Sequence, residues 1–468
     1  MSCPNANMPN SIFKPGILCL ITLFFPLCSK GNENTLEIAS ELAQQAVESS
    51  LALEIATDLT TDIGPRLFGS ESEKRAVEWA RARFEEYGFD NIWSEPFPVD
   101  RGWERGLETA SITHPAPQNL VITALGGSVP TPEGGIEAEV VVFKTIQALL
   151  DQPERSLDGK IAVVTQAMEI GGYGRFSGPI RQNGPSEAAK RGAIAYLMRS
   201  AGTDNDRMAH TGVTSYEPGV RRIPAAALSV PDAQQIDRLA DRQKSICIKL
   251  LLTPKELGTV TSHNLIAEIN GSEKPDEIIL LGAHIDSWDL GTGAIDDGAG
   301  VGVVMAASKL IRDLPNPPKR TIRVVLFGAE EIGIYGGNYY VEKHRDELSK
   351  HIIAVEADAG QGPVHTFNIG IGNPLDPSLS IIRKALEPLG VKAGRAKSRG
   401  GPDIAPLSNL GVPVVGLDMF TRDYFDLHHT ANDTIDKIIP ERINQSAAVY
   451  VTFAYLASEL GGYYRAEN

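Results

Sequence analysis

The sequence predicts an α/β protein with a mostly parallel, partly mixed sheet, helices on both faces, and a strand-rich insert. Three observations lead there. Through the second half of the chain, apolar runs of strand length alternate with helical stretches over short connections, the pattern of parallel strands joined by crossover helices. Between about residues 101 and 255 the texture changes to short β-like runs separated by Pro/Gly-rich loops. One run, residues 277–302 (EIILLGAHIDSWDLGTGAIDDGAGVG), passes from a buried type of strand into a Gly/Asp loop and then a helix. In open α/β sheets ligands bind at such strand exits.

Lys14 precedes GILCLITLFFPLC, an apolar segment short for a membrane span, and polar SKGNEN follows. That is the layout of an export signal over residues 1–30, which predicts a secreted or periplasmic protein. Cys28 is a candidate for lipid anchoring, although Leu27 before it is not the small residue that processing prefers. Residues 31–100 read as the first part of the main domain. Ile38, Leu42, Val47, Leu51, Ile55 and Leu59 predict one helix over 35–60, ended by Gly64-Pro65. Ser70 with Glu73 forms a capping box for a helix to about residue 87, and a short strand is expected over 92–99.

Residues 101–255 are read as an inserted cap domain, with strands in AEVVVF, GKIAVVTQ, GAIAYLMRS, AAALSV and CIKLLLT and a helix at 186–191. Residues 256–468 resume the α/β pattern. Strands are expected at 264–269, 277–283, 321–328, 351–358 and 412–417, and helices at 299–314, 337–348, 377–389 and 440–460. No segment after the leader has eighteen uninterrupted apolar residues, so no membrane span is expected.

A formal charge of −15 over 468 residues argues against nucleic acid or an anionic membrane as partner. Three of the four cysteines (Cys3, Cys19, Cys28) lie in the first thirty residues, leaving Cys247 alone. There is no disulfide framework and no CxxC metal site, so any metal must be held by His, Asp and Glu.

The candidate ligands follow strand ends. His284, Asp286 and Asp296 follow one strand, Glu330 and Glu331 the next, Glu356 and Asp358 a third, and His428 and His429 sit in the late segment YFDLHHTANDT. Singly, an HxD is commonly a surface pair, a Glu-Glu a solvated helix start, and Asp296-Asp297 a helix cap. Together they converge on one edge of a parallel sheet. Two imidazoles and three carboxylates suit two divalent cations, zinc first, with manganese or cobalt as substitutes. Four positive charges against three carboxylates (Asp296, Glu331, Asp358) leave a small positive remainder, which acidifies a bridging water. Glu330 and Glu331 then divide the work, one ligating and one moving a proton. His114, His210, His263, His344, His351 and His365 lack this context and read as structural or surface residues.

HxD, DDGAG, GAEE, ExD and HHTxxDT together resemble the co-catalytic dinuclear zinc exopeptidases. Within them the chain resembles the plasma glutamate carboxypeptidase (carboxypeptidase Q) branch, through GPRLFGSESEKRAVEWA, NGPSEAAKRGAIAYLMRSAGTDN, HTG, VEADAG and GGPDIAPL, from about residue 44 onward. The resemblance implies that Asp296 bridges two zinc ions, with His284 and Asp358 completing one site and Glu331 and His429 the other. It implies Glu330 as general base, and Asp286 as partner of the far nitrogen of His284. His429, followed by Thr and then Asp-Thr, is the family's ligand position; His428 would help polarise the scissile carbonyl. Asp297 is left with a structural role at the helix start. The resemblance also implies that a protease-associated type of insert caps the site, and suggests a homodimer. The expected function is exopeptidase cleavage of short unblocked peptides, of carboxypeptidase or dipeptidase type, by a metal-bridging hydroxide. An aminopeptidase with the same centre is the alternative. A one-metal cyclase relative and a non-catalytic binding module fit less well, because every ligand position and the base are filled.

Overall fold

The computed structural model describes residues 30–370, 372–462 and 464–465; the leader, with Cys3, Cys19 and Cys28, lies outside them. The main sheet is built from β1 (Asn91–Glu104), β2 (Lys255–Ile269), β3 (Lys274–His284), β4 (Arg320–Phe327), β5 (His351–Glu356), β6 (Val364–Ile369), β7 (Lys392–Ala393) and β8 (Val414–Met419), in spatial order β1-β2-β4-β3-β5-β8-β6-β7. Its centre, β4-β3-β5-β8, is parallel, and β2 and β6 flank it antiparallel. Successive residues of β3 face opposite sides: Ile279 and Leu281 enter one core and Leu280 the other. Helices cover both faces, which is why the parallel strands read as unbroken apolar runs. One face holds α1 (Lys30–Glu48), α2 (Leu51–Asp58), α3 (Glu71–Glu86), α4 (Ala299–Arg312), α6 (Pro377–Leu386) and α7 (Pro440–Glu459). Tyr340 and Val341 of α5 (Tyr335–Lys343) pack on the other.

Several boundaries differ from expectation, each for a local reason. The helix expected over 35–60 is two helices. Ser49 Oγ accepts from Leu51 N at 3.0 Å, and hydroxyls that satisfy backbone groups compete with helix continuation. Ser70 does cap α3, accepting from Glu73 N at 3.2 Å, but the Glu73 carboxylate accepts from Gly69 N at 2.5 Å and from the Ser262 hydroxyl. The short strand expected over 92–99 runs to Glu104, because β2 pairs with it from Asn91↔Glu268 to Glu104↔Lys255. β5 ends at Glu356, which puts Asp358 in the loop beyond it.

The chain leaves the main sheet after Glu104 and rejoins it at Lys255. Between them a second sheet forms. Its centre is parallel, with Ile136–Phe143, Ile161–Val164, Ala195–Arg199 and Ala225–Leu228 side by side. Antiparallel Cys247–Leu252, Glu108–His114 and Gln118–Leu120 extend one edge, and Ile122–Ala124 closes the other. The expected helix appears at Gly184–Lys190. A second, Val230–Asp241, was not anticipated from the sequence; Ser229 caps it and a proline opens it. Among the described residues no helix is long and apolar enough to cross a membrane, and Cys247 is a free thiol.

Candidate metal centre

β3, β4, β5 and β8 are parallel, so the loops that follow them meet at one edge of the sheet. Asp296 sits at the centre. Its Oδ1 lies 3.1 Å from His284 Nε2 and its Oδ2 3.2 Å from His429 Nε2. Asp358 Oδ1 is 3.7 Å from His284 Nε2, and Glu331 Oε2 is 2.9 Å from His429 Nε2. Ligand atoms of His284, Asp296 and Asp358 form one group within 4.8 Å of one another, and those of Asp296, His428 and His429 a second. His429 makes the closer carboxylate approaches. His428 stacks on it, with ring centroids 4.0 Å apart, and neither His428 ring nitrogen has a hydrogen-bond partner.

The electrostatics follow from crowding. Burial would push the His284 imidazole down, but Asp286, Asp296 and Asp358 hold it well above its usual value. His429 is raised in the same way, chiefly by Glu331 and against burial. Asp296 resists its own burial and is held well below the carboxylate range by the two imidazoles. Burial raises Glu330 strongly, and Asp358, Glu331 and Asp286 add repulsion; burial raises Glu331 as well. Burial, then His429, depresses His428.

Asp286 does two things. His284 Nδ1 faces the Asp286 backbone carbonyl at 3.1 Å, closer than its carboxylate at 3.5 Å. The carboxylate instead accepts from Glu330 N at 3.0 Å and Glu331 N at 3.3 Å, tying the β3 exit to the β4 exit. Asp297 accepts from His284 N at 3.2 Å and Gly300 N at 3.1 Å, so it joins the strand end to the start of α4. Among the described residues, no hydrogen bond holds the half-buried Glu330 side chain.

Three supporting residues escaped the sequence reading. Arg66, fully buried, donates to the carbonyls of Ile285 (2.7 Å), Thr292 (2.7 Å), Gly293 (2.9 Å) and Gly64 (3.2 Å), clasping the loop after His284. Gly293 has φ +62, and a Cβ there would meet Ser287 Cβ at 2.4 Å, so the loop needs glycine at that point. Asp433 accepts from Ile295 N at 2.6 Å and Asp296 N at 3.3 Å, setting the direction of Asp296 from the His429 loop. Thr211 contacts His429 from the insert. His210, read as structural or surface, lies buried 6.2 Å from the His428 ring. GPRLFGS, HHTxxDT and HTG contained all three, but nothing in their composition shows what they touch.

The donor set fits divalent cations: imidazoles and carboxylates interleave, and the buried Glu331 Oε1 has no hydrogen-bond partner. Fold and site together define a metal-dependent hydrolase of the α/β exopeptidase class. Residues 264–454 match the model of Peptidase family M28. The chain is 35% identical over 403 residues to carboxypeptidase Q of Mus musculus, covering 86% of this chain and 84% of that one. The crystal structure of a peptidase M28 precursor from Shewanella amazonensis superposes with a TM-score of 0.90 at 48% identity, over 93% of this chain and 99% of that one. This chain belongs to peptidase family M28 and is a metallo-exopeptidase. The fold also matches a zinc aminopeptidase from Bacillus subtilis, with TM-score 0.65 and 20% identity over 87% of this chain and 95% of that one.

Proposed function

We propose that the protein is a dinuclear zinc exopeptidase that hydrolyses short unblocked peptides in a carboxypeptidase or dipeptidase manner. One observation carries the dinuclear part: the two Asp296 oxygens face different imidazoles, each with its own second carboxylate. His284 and Asp358 would hold one zinc, Glu331 and His429 the other, and Asp296 both. When bound, the ions supply Lewis-acid polarisation of the peptide carbonyl and acidify water. Glu330, half-buried and unbonded beside them, takes the proton from the attacking water and returns it to the leaving amine. Asp286 fixes the Glu330–Glu331 backbone so that the two carboxylates keep separate tasks. His428, stacked on His429 with unpartnered ring nitrogens, would donate a hydrogen bond to the scissile carbonyl.

The preference for a free carboxyl terminus is supported by the likeness to carboxypeptidase Q and by Arg181. That guanidinium is 6% exposed and donates to the Tyr173 hydroxyl at 2.6 Å; its Nε is unpartnered, and no carboxylate pairs with it among the described residues. Tyr173 in turn packs on His428, with centroids 4.9 Å apart. An unpaired buried cation beside the centre favours an anionic group on the substrate. The residues past 30 then work outside the cytoplasm, as the leader pattern predicts, with lipid anchoring through Cys28 and a homodimer as further proposals. Zinc analysis together with free, N-acetylated and C-amidated dipeptides tests the reading. Loss of cleavage on amidation is expected; loss on acetylation alone makes the protein an aminopeptidase.

A further inference from the structure

His284 and His429 are oriented by different parts of the molecule. The far nitrogen of His284 faces its own loop, at Asp286. The far nitrogen of His429 faces the insert: Nδ1 lies 3.3 Å from the Thr211 carbonyl, and Thr211 N donates to the His429 carbonyl at 2.9 Å. A carbonyl opposite Nδ1 selects the Nδ1–H tautomer and leaves the Nε2 lone pair facing Asp296 and Glu331. His429 also has φ +60, a backbone conformation that a non-glycine residue holds only when its surroundings impose it.

Thr211 is itself held. Its hydroxyl donates to the Ala124 carbonyl at 2.9 Å and accepts from Arg105 Nη2 at 3.1 Å. Arg105 reaches Thr123 Oγ1 (2.6 Å), the Ala124 carbonyl (2.9 Å) and Glu108 (3.2 Å) in the insert. Its Nε and Nη2 grip Asp289 at 2.8 Å each, on the loop five residues past His284. One guanidinium thus fixes the insert sheet, Thr211 and the loop after β3 relative to one another. Asp426, three residues before His429, accepts from the backbone amides of Thr203 and Asp204 of the insert.

We propose that the insert is part of the metal centre: Thr211, held in place by Arg105, is a positioning residue for His429, and metal affinity at the Glu331/His429 site depends on Thr211 while affinity at the His284/Asp358 site does not. This rests on the assignment of Glu331 and His429 to one of two zinc ions. The insert is therefore more than a cover, because any shift of it relative to the main sheet moves the carbonyl that orients a ligand.

The test is a zinc-binding titration against a competing chelator, using the full chain, its Arg105→Met and Thr211→Val variants, and the melting temperature of each metal-free form. Wild type should bind two zinc ions. Thr211→Val should keep one at wild-type affinity and hold the second roughly 10–100-fold more weakly; Arg105→Met, which also frees Asp289 on the loop after His284, should weaken the second at least as much. Thr211→Val keeps the backbone and nearly the same volume, so it reports if Arg105→Met fails to fold. Wild type with two ions and variants with two at unchanged affinity overturn the inference alone. Equal weakening at both sites also overturns it, since that indicates general loosening. A wild type with one ion overturns the dinuclear assignment and the inference with it.

Discussion

The two ends of the central strands handle polar groups in opposite ways. At the amino end, the two buried polar side chains that open central strands are satisfied from within the protein, although Arg465 Nε, beside the His351 carbonyl, is not. His351, which opens β5, takes the Tyr340 hydroxyl at Nε2 (2.8 Å) and faces the Glu347 carbonyl with Nδ1 (3.1 Å). Arg320, which opens β4, donates to the carbonyls of Ala457 (2.9 Å), Leu460 and Gly462 (2.9 Å) and to Glu277. At the carboxyl end, Glu331 Oε1, both His428 nitrogens and Asp403 Oδ2 lack partners. Buried polar groups are normally paired. Unpartnered groups occur elsewhere in the molecule too, but at the carboxyl end they gather around the proposed ligands, which is where a bound cation would supply partners.

Substitutions at the two ends should therefore fail differently. Asp296→Ala removes the shared carboxylate. It should lose both zinc ions, read by metal analysis, and lower activity by several orders of magnitude; retention of two ions would contradict the proposed bridging role. Glu330→Gln should keep both ions and lower kcat by about 10³–10⁴-fold. Near-normal turnover would remove it as the base. Arg320→Met, at the other end, should cost about 3–5 kcal/mol of stability by leaving three carbonyls unpaired, with Glu277 keeping Lys274 as partner, while kcat is unchanged, as chemical-denaturation and kinetic assays would show.

The smallest effect concerns pH. Burial pushes the His351 imidazole down to about 3 from 6.5, and Arg323 adds to this. The unfolded chain then binds a proton below about pH 6.5 that the folded chain refuses, so stability falls as pH drops through that window. The loss is roughly 2–3 kcal/mol by about pH 4.5. His351→Gln should be less stable at neutral pH but lose less on acidification, and parallel acid-unfolding curves for the two proteins would exclude this source.

What was legible in the sequence follows from the same contrast. β3, β4, β5 and β8 announce themselves as apolar runs because both faces are covered, and a polar residue directly after such a run must lie at the sheet edge. That placed His284, Glu331, Asp358 and His429 close to where they are. The break at Ser49-Ser50 was hidden because apolar spacing carries across two residues that a helix could accommodate. Arg66, Arg105 and Thr211 were hidden for another reason. Arg105 grips the Asp289 carboxylate, but 184 residues separate the two. Arg66 and Thr211 act through backbone carbonyls or amides far away in the chain, and a carbonyl has no residue identity to read. The same holds for His284, whose nearest Nδ1 partner is the Asp286 carbonyl, not the side chain that the HxD motif displays.

Arg66 also bears on where this enzyme could be divided. The stretch that matches the family model, 264–454, contains all five proposed ligands and the proposed base. Yet the loop between His284 and Asp296 takes its shape from a guanidinium almost two hundred residues upstream of that stretch. Cut out alone, the segment would keep the proposed ligands and base, with Asp286, Asp297 and Asp433 to aim them, but would lose the arginine that shapes the loop between His284 and Asp296. The smallest working unit is set by the reach of an arginine, not by the limits of the motif.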